Sequence, residues 1–152
     1  MSNYTDLKRM YSDWIKESQN VISAVAPIEM KDAMDKAITY TVYLAYTPES
    51  YERRYNEGGL GDISNMEHDI DIQGSRITVT LRNNAKGSYD DTNSYIGDIV
   101  ASGDGYTWTN SEIYKSQQER DFYEETANIL RQGKIVNSIK KELKKRGIIL
   151  KN

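Results

Sequence analysis

The chain contains no cysteine, which removes disulfides, thiolate nucleophiles and cysteine-based zinc sites, and fits folding in a reducing cytoplasm. It has one histidine, His68, and one phenylalanine, Phe122. A catalytic triad or a histidine-ligated metal centre needs further ligands or a nucleophile beside its imidazole, and none is spaced for that around His68. No apolar run approaches the roughly 20 residues that span a bilayer. The opening MSNYTDLKRMYSDW is too polar for a secretory signal, so a soluble chain without a membrane association is expected. At 152 residues there is length for one core of ordinary size, and the expectation is a single domain over 1–152.

Tyrosine is abundant instead: 12 Tyr and 2 Trp accompany the one Phe. Tyrosine pairs a large apolar ring with a hydroxyl that tolerates water, which suits half-buried positions and subunit contacts as well as a thin, wet core. Charge is unevenly placed. Of the 20 Lys and Arg, seven lie in residues 134–152 beside one acid, Glu142, which leaves 13 basic and 22 acidic residues in the first 133. An acidic body with a basic end favours charge-complementary contact with a partner.

Hydrophobic periodicity sets the elements. Tyr4, Leu7, Met10, Tyr11, Trp14, Ile15, Ile22 and Val25 follow three- and four-residue steps, which predicts a long N-terminal amphipathic helix over 3–26 that Pro27 ends or restarts. Met30, Ala33, Met34, Ala37 and Ile38 continue a helical stripe to about Tyr46, before Pro48. Residues 47–66, with Gly58, Gly59 and Gly61, read as a long loop. HDIDIQGSRITVTLR alternates with period two around Gly74-Ser75 and predicts a β-hairpin. YIGDIVASGDGYTW adds a strand or a helical turn. A helix follows from about Glu119 to Arg131, a break at Gly133, and a basic helix over 134–147 with Ile135, Val136, Ile139 and Leu143 inward and Gly147 at its cap. The expected fold class is α+β: N-terminal helices, a small antiparallel sheet built around the hairpin, and C-terminal helices.

The chemistry-bearing candidates are weak. Glu67, Asp69 and Asp71 alternate on one strand face about 7 Å apart, without the opposing ligands that calcium or magnesium needs; a solvent-facing row is the better reading, and Asp90-Asp91 is loop solvation. GGLGD lacks the Lys-Ser/Thr of a phosphate-binding loop, and a turn requiring positive φ explains its glycines. The expectation is no catalytic residue, no cofactor and no metal. The lysines of KKELKKR suit an acidic protein surface or the phosphates of DNA. Arg53 and Arg54, between Tyr51 and Tyr55, either knot the loop or present an anchor to a neighbour.

The order VYLAYTPESYERRYNEGGLGD, a hairpin, GYTWTNSEIYKSQQERDFYEETANIL and a helix ending IKKELKKRGI resembles the tail-completion or head-tail joining (minor capsid) proteins of long-tailed double-stranded DNA phages, over roughly residues 28–147. In that family a helix runs into a Pro-containing segment with a Thr-Gly-Arg-Leu-like turn, then strands, then an aromatic-Pro-Phe segment opening the last helix. Pro48, Tyr51, Arg53, Arg54, Gly59 and Leu60 match the first, and Arg120, Asp121, Phe122 and Tyr123 the second. No proline precedes Phe122, and the compact turn is replaced by a longer charged loop.

The resemblance implies a non-enzymatic virion protein of the neck or tail. It implies a homohexameric ring at the head-proximal end of the tail, flanked by connector or head-closure and by tail-terminator or tail-tube proteins, with DNA passing through. Tyr51, Arg53, Arg54, Tyr55 and Leu60 in the loop, with Lys140, Lys141, Lys144, Lys145 and Arg146 in the terminal helix, are the candidate interface residues. Replacing Arg53 and Arg54 is expected to impair assembly and leave the monomer folded. The alternative is a small inhibitor or regulatory protein of a phage or mobile element that binds a host protein. A nuclease would require acids converging from separate elements.

Overall fold

A computed structural model describes residues 2–45, 47–48, 52–87, 95–104 and 118–150, with the backbone alone for 2–5. Its elements are α1 (Ser2–Ile38), a π-helical turn (Thr39–Tyr43), a 3-10 turn (Ile63–Asn65), β1 (Met66–Gln73), β2 (Arg76–Asn83), α2 (Ile96–Ser102), α3 (Phe122–Arg131) and α4 (Lys134–Lys145). The fold is α+β, with helices at both ends of the chain around one antiparallel hairpin, as the periodicity predicts.

The first helix departs from its expected limits. It runs unbroken for 37 residues through Pro27, where 3–26 was expected. Proline removes one ladder bond and crowds the carbonyl four residues back, at a cost of about 3 kcal/mol. Here that cost is offset by burial on both sides: Val21, Ala26, Ala33, Met34, Ala37 and Ile38 are all buried. Regular α geometry ends at Ile38, short of the expected Tyr46, which lies outside the described residues. The Thr41 hydroxyl donates to the Ala37 carbonyl (2.8 Å), and the Leu44 N–H donates to the Thr39 carbonyl (2.9 Å). A β-branched, back-bonding run thus widens the last turn to π geometry.

The hairpin pairs Met66 with Asn83 at its base and Gln73 with Arg76 at its tip, and Gly74 takes φ +63° in the two-residue turn. The base enters the main core with Met66 and Asn83 buried, and the Gln19 side chain of α1 donates to the Gly74 carbonyl at the tip (2.6 Å). The sheet therefore lies along α1. The uncertain segment after the hairpin forms a short helix, α2.

The helix expected from Glu119 starts at Phe122, because the Asp121 carboxylate accepts the Glu124 N–H (2.9 Å) and caps it. Gly133, at φ +86°, makes the expected break. The last helix stops at Lys145 rather than 147: the Gly147 N–H donates to Lys144 and the Ile148 N–H to Leu143, the cap expected of Gly147. Leu143 is buried, Ile135 and Ile139 are half-buried, and Val136 is 50% exposed, so Val136 is not part of the inward stripe.

Two apolar clusters result. In the larger, Met34, Ile38 and Val42 meet Leu60, Met66, Ala85, Val100 and Phe122; in the smaller, Val21 meets Leu143 and Ile148. Phe122 is fully buried and its ring lies 4.3 Å from that of Tyr123. Phe122→Ala is expected to destabilise the chain by about 3–5 kcal/mol in denaturant titration, the usual loss for a buried phenylalanine truncated to a cavity.

Candidate interaction surface

The loop over 47–66 is tied to the body from several directions. The Arg53 guanidinium donates to the Tyr43 carbonyl (2.7 Å) and the Val42 carbonyl (3.3 Å), capping the free end of the π-helical turn, and lies 5.3 Å from the Tyr43 ring centroid. The Tyr55 ring meets Tyr43 edge-on at 4.8 Å, at a backbone φ of +43° that a bulky residue rarely adopts. The Tyr43 hydroxyl accepts the Gly61 N–H (2.8 Å), and the buried Asn83 amide donates to the Leu60 carbonyl (2.7 Å). Gly59 has no room for a side chain, since a Cβ there would sit 2.5 Å from the Tyr55 carbonyl oxygen. Of the three loop glycines, Gly58 alone has the positive φ that the sequence suggested, at +79°; close packing accounts for Gly59.

The sequence left Arg53 and Arg54 open between a knot and an exposed anchor. Arg53 is the knot. Arg54 is exposed and donates to the Lys86 carbonyl, joining the loop to the segment after the hairpin. Leu60 is buried in the main core, so its side chain is not available to a neighbour. Tyr55 is 49% exposed, and Tyr51 lies outside the described residues, as do Asp90-Asp91 and the aromatic stretch before Gln118. Arg53 hydrogen-bonds partly buried carbonyls of its own chain, so replacing it bears on the monomer's loop as well as on any neighbour.

The basic helix is partly neutralised from within. Lys134 pairs with Asp32 (2.7 Å) and Glu29 (3.2 Å), the Ser138 hydroxyl donates to Glu29 (2.7 Å), and Arg146 pairs with Glu17, all across the α1–α4 seam. The Ser138 hydrogen bond holds the Glu29 carboxyl below the ordinary carboxylate range, against the opposing effect of desolvation. Lys145 pairs with Glu142 (2.8 Å) on its own helix. Lys140, Lys141 and Lys144 are exposed, and they form the outward basic face.

The other candidates are surface groups. His68, Glu67, Asp69 and Asp71 are exposed on the hairpin, and among the described residues no three His, Asp or Glu side chains are grouped to hold a metal ion. No described helix is long and apolar enough to cross a membrane.

A different surface stands out, and it belongs to α1. At 1.5 Å per residue, 37 residues reach about 55 Å, and the first buried side chain among the described residues is Val21. The turns before it present Leu7 (57% exposed), Met10 (62%), Tyr11 (60%) and Trp14 (44%) as one stripe. Below Trp14 the same stripe becomes the α1–α4 seam at Val21. The sequence marked these residues as apolar and periodic, which predicts a face that is covered; nothing in the pattern tells whether the cover comes from the same chain.

The model of the YomN family matches residues 3–145. The chain belongs to the YomN family. A curated relative in that family, the SPbeta prophage-derived uncharacterized protein YomN of Bacillus subtilis (strain 168), is 26% identical over 143 residues, covering 94% of each chain. No solved structure matches the chain. The family match spans the exposed part of α1, the loop, the hairpin and α4, and ends just before Arg146.

Two outcomes follow for the loop. Arg53→Ala is expected to cost about 1.5–3 kcal/mol, the usual loss for hydrogen bonds made by a charged group, with amide exchange quickening around Gly59–Gly61. Arg54→Ala is expected to cost about 1 kcal/mol or less. Burial pushes the Tyr43 phenol above the ordinary 10.0, while the Gly61 hydrogen bond and the Arg53 charge pull it down; burial likewise raises Tyr123. Both folded-state values are raised, so the stabilisation is complete below the unfolded value and is lost as pH rises towards the folded one. Denaturation midpoints measured against pH should therefore hold to about pH 10 and fall above it.

Proposed function

We propose that this chain is a structural, non-enzymatic subunit of a phage particle, placed in the neck at the head-proximal end of the tail. There it acts as a tail-completion or head-tail joining protein, in a ring with copies of itself between connector and tail proteins. The observation that carries the reading is the apolar stripe Leu7–Met10–Tyr11–Trp14, held in solvent by a helix that outruns its own body. A contiguous exposed apolar surface bordered by charges is the mark of contact with another polypeptide. The prophage derivation of the relative supports a phage setting for the chain, and the ordered likeness to tail-completion proteins favours the neck.

The tethered loop suits such a role. A segment fixed by Arg53, Tyr43 and Asn83 presents Tyr55 and Arg54 on a rigid base, so little ordering entropy is lost when a neighbour docks. The outward lysines of α4 then meet acidic protein surfaces, or DNA passing through the ring, at the opposite side of the chain's charge distribution.

The test is incorporation. Leu7→Asp combined with Tyr11→Asp is expected to leave folding within about 0.5 kcal/mol of the parent, both sites being exposed, and to abolish the chain's presence in purified particles by mass spectrometry. Electron micrographs of phage carrying the variant should then show heads and tails unjoined. A parent chain absent from particles would overturn the structural role, and a monomer holding a single host protein would fit the inhibitor alternative in its place.

A further inference from the structure

The hairpin is a two-stranded sheet with no third strand on either outer edge among the described residues. Its two strands carry opposite charge. β1 holds Glu67, Asp69 and Asp71 and no Lys or Arg; β2 holds Arg76 and Arg82 and no acid. The pairing register sets all five on one face, with Glu67 opposite Arg82, Asp69 opposite Thr80 and Asp71 opposite Thr78. All five are exposed. Apolar residues occupy the other face, and they are covered unequally. Ile77, Val79 and Leu81 of β2 are half-buried, while Ile70 (37%) and Ile72 (48%) of β1 are exposed, because α1 packs chiefly beneath β2.

We propose that β1 of one copy pairs with β2 of the next, edge to edge, so that hairpins from successive copies form one continuous antiparallel sheet. This deepens the ring reading above and rests on it. Each strand's direction and facing are preserved by such a contact: β1 already runs antiparallel to its own β2, and a translated or rotated copy offers a second β2 in the same sense. Acidic and basic edges then meet, whereas pairing β1 with β1 would set acids against acids and pairing β2 with β2 would set arginines together. Like-edge pairing is disfavoured by the same charges that favour the unlike edge. A shift of two residues keeps every side chain on its face and sets Asp71 opposite Arg76, or Asp69 opposite Arg82, of the neighbour; a stagger of this kind is what a closing sheet requires. The neighbour's α1, lying under its own β2, arrives beside Ile70 and Ile72 and covers them. A contact that joins two different edges is heterologous, and when its rotation closes it makes a ring.

A charge exchange tests this on the full-length chain. Asp69→Arg with Asp71→Arg makes both edges basic; Arg76→Glu with Arg82→Glu makes both acidic. Circular dichroism and melting curves establish that each remains folded, and sedimentation velocity reads association. The parent is expected to self-associate, each variant alone to sediment as a monomer, and an equimolar mixture to recover the parent's assembly as alternating copies, with the recovery weakening at high salt. Variants that each assemble like the parent, or a mixture that stays monomeric, would overturn edge pairing. Particle incorporation of the parent separates the two readings: variants that assemble and are incorporated normally sink the hairpin contact alone, and a parent that neither self-associates nor enters particles sinks the neck reading with it.

Discussion

Everything in this molecule is arranged against one helix that is longer than the body it belongs to. A compact chain of this size has a radius of gyration of about 15 Å, whereas α1 is about 55 Å long, and Leu7, Met10, Tyr11 and Trp14 near its start are exposed. Its C-terminal part lies in the main core with Met34, Ala37 and Ile38 buried, its middle is covered by α4 at Val21, and its first turns have no cover among the described residues. The continuity of the helix through Pro27 makes this possible.

Alongside that helix, the polar groups are placed so that irregular backbone is satisfied from within. The widened turn at Thr39–Tyr43 leaves carbonyls that Arg53 takes up, and the ring and hydroxyl of Tyr43 hold Arg53 and Gly61 in turn. Asn83, buried at the end of the hairpin, serves the Leu60 carbonyl with its amide nitrogen and the Ala85 N–H with its oxygen. The described part of the excursion, with few apolar side chains, is held because each of these bonds satisfies a donor or acceptor of irregular backbone. The charges of α4 follow the same logic. Lys134 and Arg146 fasten it to α1, and Lys141 and Lys144 are exposed on the helix.

The parts legible in the sequence were those governed by short-range pattern. Period-two alternation about Gly74-Ser75 located the hairpin and its register, and the breaks at Gly133 and Gly147 stood where a positive φ was needed. The errors fell where a local preference was overruled by burial. Pro27 argued for a stop, and apolar contacts on both flanks carried the helix through it. Leu60 looked like a candidate for a neighbour because it sits in a charged, glycine-rich loop, yet its side chain is buried; Arg53 takes the knot role that the sequence had left open beside an exposed anchor. The roles of Tyr43 and Asn83 had no signal at all, since each joins segments more than fifteen residues apart through a single side chain.

By itself the sequence determined the class of the fold, the absence of thiol chemistry, the asymmetry between an acidic body and a basic end, and the apolar stripe of the first helix. These depend on composition and on periodicities of two and 3.6 residues, which any local stretch of chain displays. Only the tertiary structure decided which apolar residues are covered and which are not, that Arg53 serves its own backbone, and that among the described residues no third strand lies on either edge of the hairpin. Burial and pairing belong to the three-dimensional neighbourhood of a residue, and a linear pattern states what a side chain prefers without stating what reaches it.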